Sequence, residues 1–424
     1  MKYEHLKSVS YQSTEEYEKL YNSRFHSDEA VHIDLPIHGS PAFFLRTPDL
    51  YEQIIRINKL DRNARILCEK LPSRAMSWFK KKCLIDEIVS TNGIEGVIST
   101  RKEISEILSE RHGRSGNRFY DISGRYNMLS DKHCQLKTCE DIRNIYNELM
   151  YEEIRQEDSE NLPDGILFRK NQVNVHGETD KVIHRGIVPE EKIIEYMQKS
   201  LDFLNDDSIS IYFRIAVFHY LFGYIHPFYD GNGRTSHFIS SYLLATETET
   251  PVIGYRLATT INENIIKYYK AFKICNEERN RGDLTPFVMS FLDIIECAFR
   301  ELIDELSGKN ETLEYYTRCA DTLPFADDEK IKEVYVVLIQ AALLSDNGIE
   351  ITELARMISA SRSTAEKRLK IINERVLVTN MVGKTKFYCA NLHVVDKLIN
   401  GAKGKKITSV GLSSRLCTEP CKCQ

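Results

Sequence analysis

Residues 226–237, HPFYDGNGRTSH, bring a histidine, an aspartate, two glycines and an arginine into one short segment. His226 could act as general base toward an incoming hydroxyl, a role worth roughly 10²–10⁴ in rate when well placed. Gly231-Asn232-Gly233 lead into an apolar helical run, FISSYLLA, so backbone N–H groups at a helix start can converge on an anion. Arg234 falls in the first turn of that helix, where a cation opposes the dipole. A phosphate ligand explains it, because guanidinium offers a two-pronged fork. Asp230 at the rim of an anion nest is repulsive unless Mg²⁺ bridges carboxylate and phosphate. Base, cradle, arginine and metal ligand together describe phosphoryl or nucleotidyl transfer. The alternative is a helical corner whose histidine and arginine only satisfy backbone carbonyls.

The flanking pattern must hold this segment in place. An apolar helix over 208–225 ends where Pro227 forbids continuation and biases His226 toward extended backbone. A second apolar helix covers 232–245. Upstream, Thr47, Pro48 and Asp49 cap a helix with 3.6-residue apolar periodicity. Another helix, 77–90, ends in TNGIEG, and a further one starts at Thr100. Residues 111–131 are rich in Gly, Ser, Arg and Asn and suggest a loop, with helix again over 140–156. Between 168 and 191, Val173 and Val175 alternate with polar residues, Gly177 turns the chain, and Val182–Ile183 follow, which predicts a β-hairpin. Pro189 opens the next helix, and helices are expected at 263–279 and 285–306. The fold class is mainly α.

With 424 residues, 42% hydrophobic and 28% charged, the chain has room for two or three domains of a globular protein. A net charge of −5 gives no global attraction to nucleic acid or anionic membrane. The most apolar stretch, 211–225, is interrupted by Arg214 and His219 and is too short for a bilayer. The first twenty residues lack a signal peptide's apolar core, so a cytoplasmic location is expected. Most of the eleven cysteines are scattered singly, as small buried hydrophobes are. Cys417, Cys421 and Cys423 cluster in a basic tail without metal-site spacing. The expected organisation is a helical region over 1–110, with residues 1–45 an irregular lead-in, then a catalytic core over 111–306. A linker over 307–328, a winged helix-turn-helix over 329–400 and the tail over 401–424 complete it.

Nine consecutive positions, HPFYDGNGR, resemble the signature HPFx[DE]GNGRxxR of the Fic family (filamentation induced by cyclic AMP). The hairpin, YYKAFKICNEE and LTPFVMSFLDII extend the resemblance over about residues 45–305. It implies a protein adenylyltransferase moving AMP from ATP, with Mg²⁺, to a Tyr, Thr or Ser hydroxyl of a target protein, or of itself. His226 would then be the base, Asp230 the metal ligand, Gly231, Asn232 and Gly233 the phosphate cradle, and Arg234 the neutralising cation. Phe228 would anchor the loop in the core, and Tyr268 and Tyr269 would lie near the nucleotide base. TNGIEG matches the family's inhibitory pattern [ST]xxxE[GN], which makes Glu95 an intramolecular restraint on the nucleotide site. Val173, Asn174, Val175, Val182 and Ile183 would form a flap that pins an extended target segment by strand addition.

The last signature position departs from the family: His237 stands where relatives keep an arginine that binds the γ-phosphate and pairs with the inhibitory glutamate. Three consequences compete. The γ-phosphate is held weakly; or Glu95 raises the His237 pKa in a pH-dependent pair; or another nucleotide or phosphate donor is used. In the C-terminal block, Arg362, Lys367, Arg368 and Lys370 crowd one helix and Lys384 and Lys386 decorate the wing, so DNA is a candidate partner beside protein docking. The opposing expectation from the same residues is a nucleotide-sensing DNA-binding regulator with a weak or inactive Fic domain. A homodimer through helical faces is also expected, and no membrane partner.

Overall fold

The computed structural model describes residues 3–109, 126, 136–176, 182–372, 374–383 and 385–402. The irregular lead-in expected over 1–45 is instead built of regular elements: helices α1 (Leu6–Ser10) and α2 (Thr14–Phe25), then antiparallel strands β1 (Ala30–Ile37) and β2 (Ser40–Leu45). Ser13 caps α2 by accepting from the Glu16 N–H. Val31, Ile33, Leu35 and Ile37 alternate inward along β1. The register shifts between Ile33 and Pro36, and that proline disguises the strand in the sequence.

Helices α3 (Pro48–Lys70), α4 (Ser73–Ile94), α5 (Arg101–Ser109) and α6 (Cys139–Glu157) follow. A capping box starts α6, with Thr138 and Asp141 each accepting from the other's backbone N–H. The expected hairpin is present as β3 (Asn174–His176) and β4 (Val182–Arg185), so Val173 lies just outside its strand. Next come α7 (Glu190–Leu204), α8 (Ile211–Ile225) and α9 (Asn232–Glu247). After them the chain forms α10 (Leu257–Glu263), α11 (Ile265–Cys275) and α12 (Thr285–Cys319). The helix expected at 263–279 thus runs only over Ile265–Cys275, separated from α10 at Asn264. Nor does a linker begin at 307, because α12 continues to Cys319. Gly308 costs such a helix only about 1 kcal/mol relative to alanine, and buried Leu306 and Leu313 on either side hold the helix in place.

The C-terminal block forms α13 (Glu329–Leu344), β5 (Ile349–Glu350), α14 (Ile351–Met357), α15 (Arg362–Ile371), β6 (Leu377–Val382), β7 (Thr385–Ala390) and α16 (Leu392–Ala402). Its two central helices meet in a tight turn at Ser359, and its hairpin turns at Gly383, both with positive φ. The sequence did not foretell β5, which joins the sheet in the order β5-β7-β6. Lys384, Gly177, Cys417, Cys421, Cys423 and, apart from Tyr126, the loop expected at 111–131 lie outside the described residues. No helix among the described residues is long and apolar enough to cross a membrane.

Contacts divide the chain into two compact units, Met1–Asn63 with Leu84–Leu302 and Ala64–Cys83 with Ile303–Gln424. In the first, α8 is buried around nearly its whole circumference, as an all-round apolar helix must be. Its C-terminus and the N-terminus of α9 bracket the segment singled out in the sequence.

Candidate active site

His226 closes α8 with left-handed backbone, φ 54° and ψ 63°. Pro227 was expected to keep it extended; the helix-ending conformation wins because the His226 N–H still reaches the Phe222 carbonyl. Two residues on, Phe228 is buried and stacked on Tyr146 with ring centroids 3.7 Å apart. Asn232 closes the loop with its side chain, Oδ1 accepting from the Phe228 N–H at 2.9 Å and Nδ2 donating to the Phe228 carbonyl at 2.8 Å. The Asn232 side chain thus serves the loop, while its backbone lies at the start of α9. Gly231, at φ 77°, is the N-cap of α9, and no side chain caps that helix. The first N–H groups of any helix lack intrahelical partners, so this end is a nest for negative charge.

That nest has a carboxylate against it. A Cβ added to Gly233 would overlap the Glu95 carboxylate, so Glu95 lies directly over the first turn of α9. The N–H of Gly96, whose φ is 73°, bonds the Gly93 carbonyl, and that of Val97 bonds the Asn92 carbonyl at 2.8 Å. These are bonds of a glycine-capped helix end. Ending α4 and delivering Glu95 are therefore the same structural event. The Glu95 residue keeps an exposed edge, while the protein crowding its carboxyl end pushes the pKa up to about 7; Arg234 pulls it down and Asp230 pushes it up.

Arg234 is 2% exposed and donates to Glu153 Oε1 at 2.6 Å, with Asp230 Oδ1 3.8 Å from its other terminal nitrogen. Burial opposes its charge, but Glu153, Asp230 and Glu95 outweigh that and raise its pKa. The Glu153 pKa is also raised, because burial prevails over the pull of Arg234. Asp230 itself is exposed, and its Oδ1 accepts from the Gly231 N–H at 2.5 Å. A solvent-facing carboxylate at the edge of an anion nest suits Mg²⁺, which is commonly held by one or two carboxylates together with substrate phosphates.

The model of the Fic/DOC family matches residues 137–244, a span that contains this whole loop. That stretch is similar to the Fic/DOC family. Among curated relatives, the protein adenylyltransferase Fic of Drosophila erecta is 29% identical over 260 residues, 59% of this chain and 49% of that protein. Its Drosophila ananassae counterpart is 30% identical over 230 residues, 53% and 42% of the two chains. The chain thus spans about half the length of the curated relatives it matches. A Fic family protein from Desulfovibrio desulfuricans G20 superposes with a TM-score of 0.51 at 19% identity, covering 81% of this chain and 96% of that one. That likeness is one of fold.

His237, inside the matched stretch, does not pair with Glu95, contrary to one of the three consequences drawn from the sequence. It is 1% exposed, and burial pushes its pKa down to about 4 instead of Glu95 drawing it up. Its Nε2 faces the Tyr268 hydroxyl at 3.5 Å, its ring stacks on His219 at 5.5 Å, and its Nδ1 has no partner among the described residues. Tyr268 is itself buried, with its hydroxyl 2.7 Å from His219 Nε2. Tyr269, in contrast, is 38% exposed and donates to the Ile94 carbonyl at 3.4 Å, beside Glu95. Of the tyrosine pair, one belongs to the core and one to the rim.

Sequence reasoning missed Glu153, Arg169 and Glu87. Glu153 continues the buried stripe Ile142, Tyr146, Leu149 and Met150 of α6, and an acid on an apolar stripe was the available signal. Glu87 carries the same signal beside Leu84 and Ile88 on α4. Arg169 had none.

Proposed function

We propose that this chain carries a Fic domain that transfers AMP from ATP to a hydroxyl of a protein, and that Glu95 restrains it. The observation that carries the reading is a glycine nest, one loop after the histidine that ends α8, already covered by the chain's own carboxylate. His226 is neutral at pH 7, since burial, the Arg169 cation and His184 push its pKa down to about 3. A neutral imidazole is the form that can accept the acceptor hydroxyl's proton while that oxygen attacks the α-phosphorus and pyrophosphate leaves. The cradle over 231–233 would hold the phosphates, and Arg234, locked by Glu153, would offset their charge without needing to move. Mg²⁺, held by Asp230 with the phosphates, would neutralise developing charge. The free edges of β3 and β4 offer an extended acceptor segment backbone partners by strand addition. Since His237 is buried against Tyr268 and His219, the γ-phosphate contact ascribed to the family's arginine has no counterpart at that position. This keeps other nucleotide donors as the second reading.

Incubation with Mg²⁺ and ATP labelled at the α-phosphate tests the reading. Glu95→Gly should label itself or added protein at least about tenfold faster than wild type, corresponding to about 1.4 kcal/mol of restraint. Label should vanish in Glu95→Gly/His226→Ala. No label from Glu95→Gly with ATP overturns adenylyl transfer from ATP, and label appearing only with another α-labelled nucleotide would move the assignment to that donor.

A further inference from the structure

Arg169 is fully buried and forms no ion pair among the described residues. Burial pushes its pKa down to about 10, against weaker support from Tyr229 and Asp164. A buried cation without a carboxylate is expensive, so its surroundings must compensate. They do so with backbone carbonyls: Nε donates to His226 at 2.8 Å, one terminal nitrogen to Asn171 at 2.6 Å and the other to Ile225 at 3.4 Å. Two of these carbonyls end α8, where the helix dipole favours positive charge. The Arg169 N–H adds a bond to the Pro227 carbonyl at 3.1 Å, and Phe168 packs edge-on against Phe228 at 5.5 Å.

The segment that carries the guanidinium is itself fixed. Glu190 accepts from the N–H groups of Ile166, Leu167 and Phe168, which fixes the chain leading into Arg169. At the root of the hairpin the Gly186 N–H bonds the Val173 carbonyl, and a Cβ on Gly186 would overlap an Arg169 terminal nitrogen. The Asn171 N–H reaches the Tyr229 hydroxyl at 3.0 Å, tying the same root to the loop after His226. Histidine in left-handed backbone persists only where its surroundings over-determine it, and at His226 those surroundings centre on one side chain.

We infer that Arg169 is a positioning residue for His226, which fixes the left-handed backbone of the base and couples it to the root of the β3–β4 hairpin. The inference rests on His226 being the base of the proposed transfer. The charged and titratable groups facing His226 are Arg169 and His184, so removing the arginine alters both its backbone and its electrostatics.

The test pairs Arg169→Met, Arg169→Lys and Gly186→Ala with Glu95→Gly, measuring transfer of labelled AMP and titrating the His226 ring by NMR. Arg169→Met should lower turnover about 10²-fold, the scale of a misplaced reacting group, with the ATP KM changed less than about threefold and the His226 pKa moved upward. Gly186→Ala, whose added Cβ would overlap a terminal nitrogen of the same guanidinium, should shift both readouts in the same directions. Arg169→Lys keeps the charge without the fork and should restore the titration more than the turnover. A His226 titration and a turnover per folded molecule that match the parent overturn the inference and leave Arg169 a stabilising residue. If Arg169→Met does not fold, the other two variants decide. If the Glu95→Gly parent transfers no label, the adenylyl-transfer reading fails, while the His226 titration still judges the positioning of that ring.

Discussion

Gly233 sits where two occupants compete for one space. The Glu95 carboxylate already fills the position of a Cβ there, and under the proposed mechanism a nucleotide phosphate needs the same approach to the backbone. Removing Glu95 and removing the space are therefore opposite experiments. In a Glu95→Gly background, Gly233→Ala should weaken ATP binding at least about tenfold, or about 1.4 kcal/mol, as read by calorimetry. An unchanged Kd would place the phosphates elsewhere. His226, Asp230, Gly231, Asn232, Gly233 and Arg234 were legible because one loop supplies them in sequence order. Glu153 was not, because it reaches Arg234 from another helix and only folding brings the two together. The fate of His237 was hidden for the same reason: its neighbours His219 and Tyr268 come from α8 and α11.

Glu95 is aimed by its helix, and that helix is anchored by a second acid two turns earlier. Glu87 on α4 is fully buried and accepts from the Ser241 hydroxyl of α9 at 2.8 Å and from the N–H groups of Ala258 and Thr259 in α10. Burial pushes its pKa up to about 7, and these hydrogen bonds only partly counter it. A carboxyl whose folded pKa is raised stabilises fully below its unfolded pKa of 4.5, and that contribution is lost as pH rises toward 7. The change is at most about 3 kcal/mol. Glu87→Gln cannot ionise, so its melting temperature should gain on wild type between pH 5 and pH 8. A difference that stays constant with pH would mean the Glu87 carboxyl does not titrate there. The element scale also shows where the sequence was readable. Apolar α8 and α9 declared themselves by composition, and the hairpin by alternation. Strand β1 alternates as cleanly, yet Pro36 argued against it, and Gly308 suggested a break that the packing of Leu306 and Leu313 overrides.

Across the whole molecule, what separates a restraint within one chain from a restraint between chains is which residues share a compact unit. Glu95, Glu87, His226 and the glycine nest all lie within Leu84–Leu302, a span of one unit. A carboxylate held on the same folded body as its target acts at an effective concentration in the millimolar range, far above any protein concentration used in an assay. A homodimer, expected from the helical faces, would then be unnecessary for the restraint. The ratio of Glu95→Gly to wild-type labelling should therefore stay constant over about a 100-fold range of protein concentration, since dilution leaves an intramolecular contact unchanged. A ratio that collapses toward one on dilution would mean that a second copy supplies or stabilises the restraint. Adding an excess of catalytically dead His226→Ala protein, with its own Glu95 intact, separates the cases further. It should leave the Glu95→Gly rate untouched if each chain restrains only itself, and suppress that rate if the carboxylate can be donated between chains.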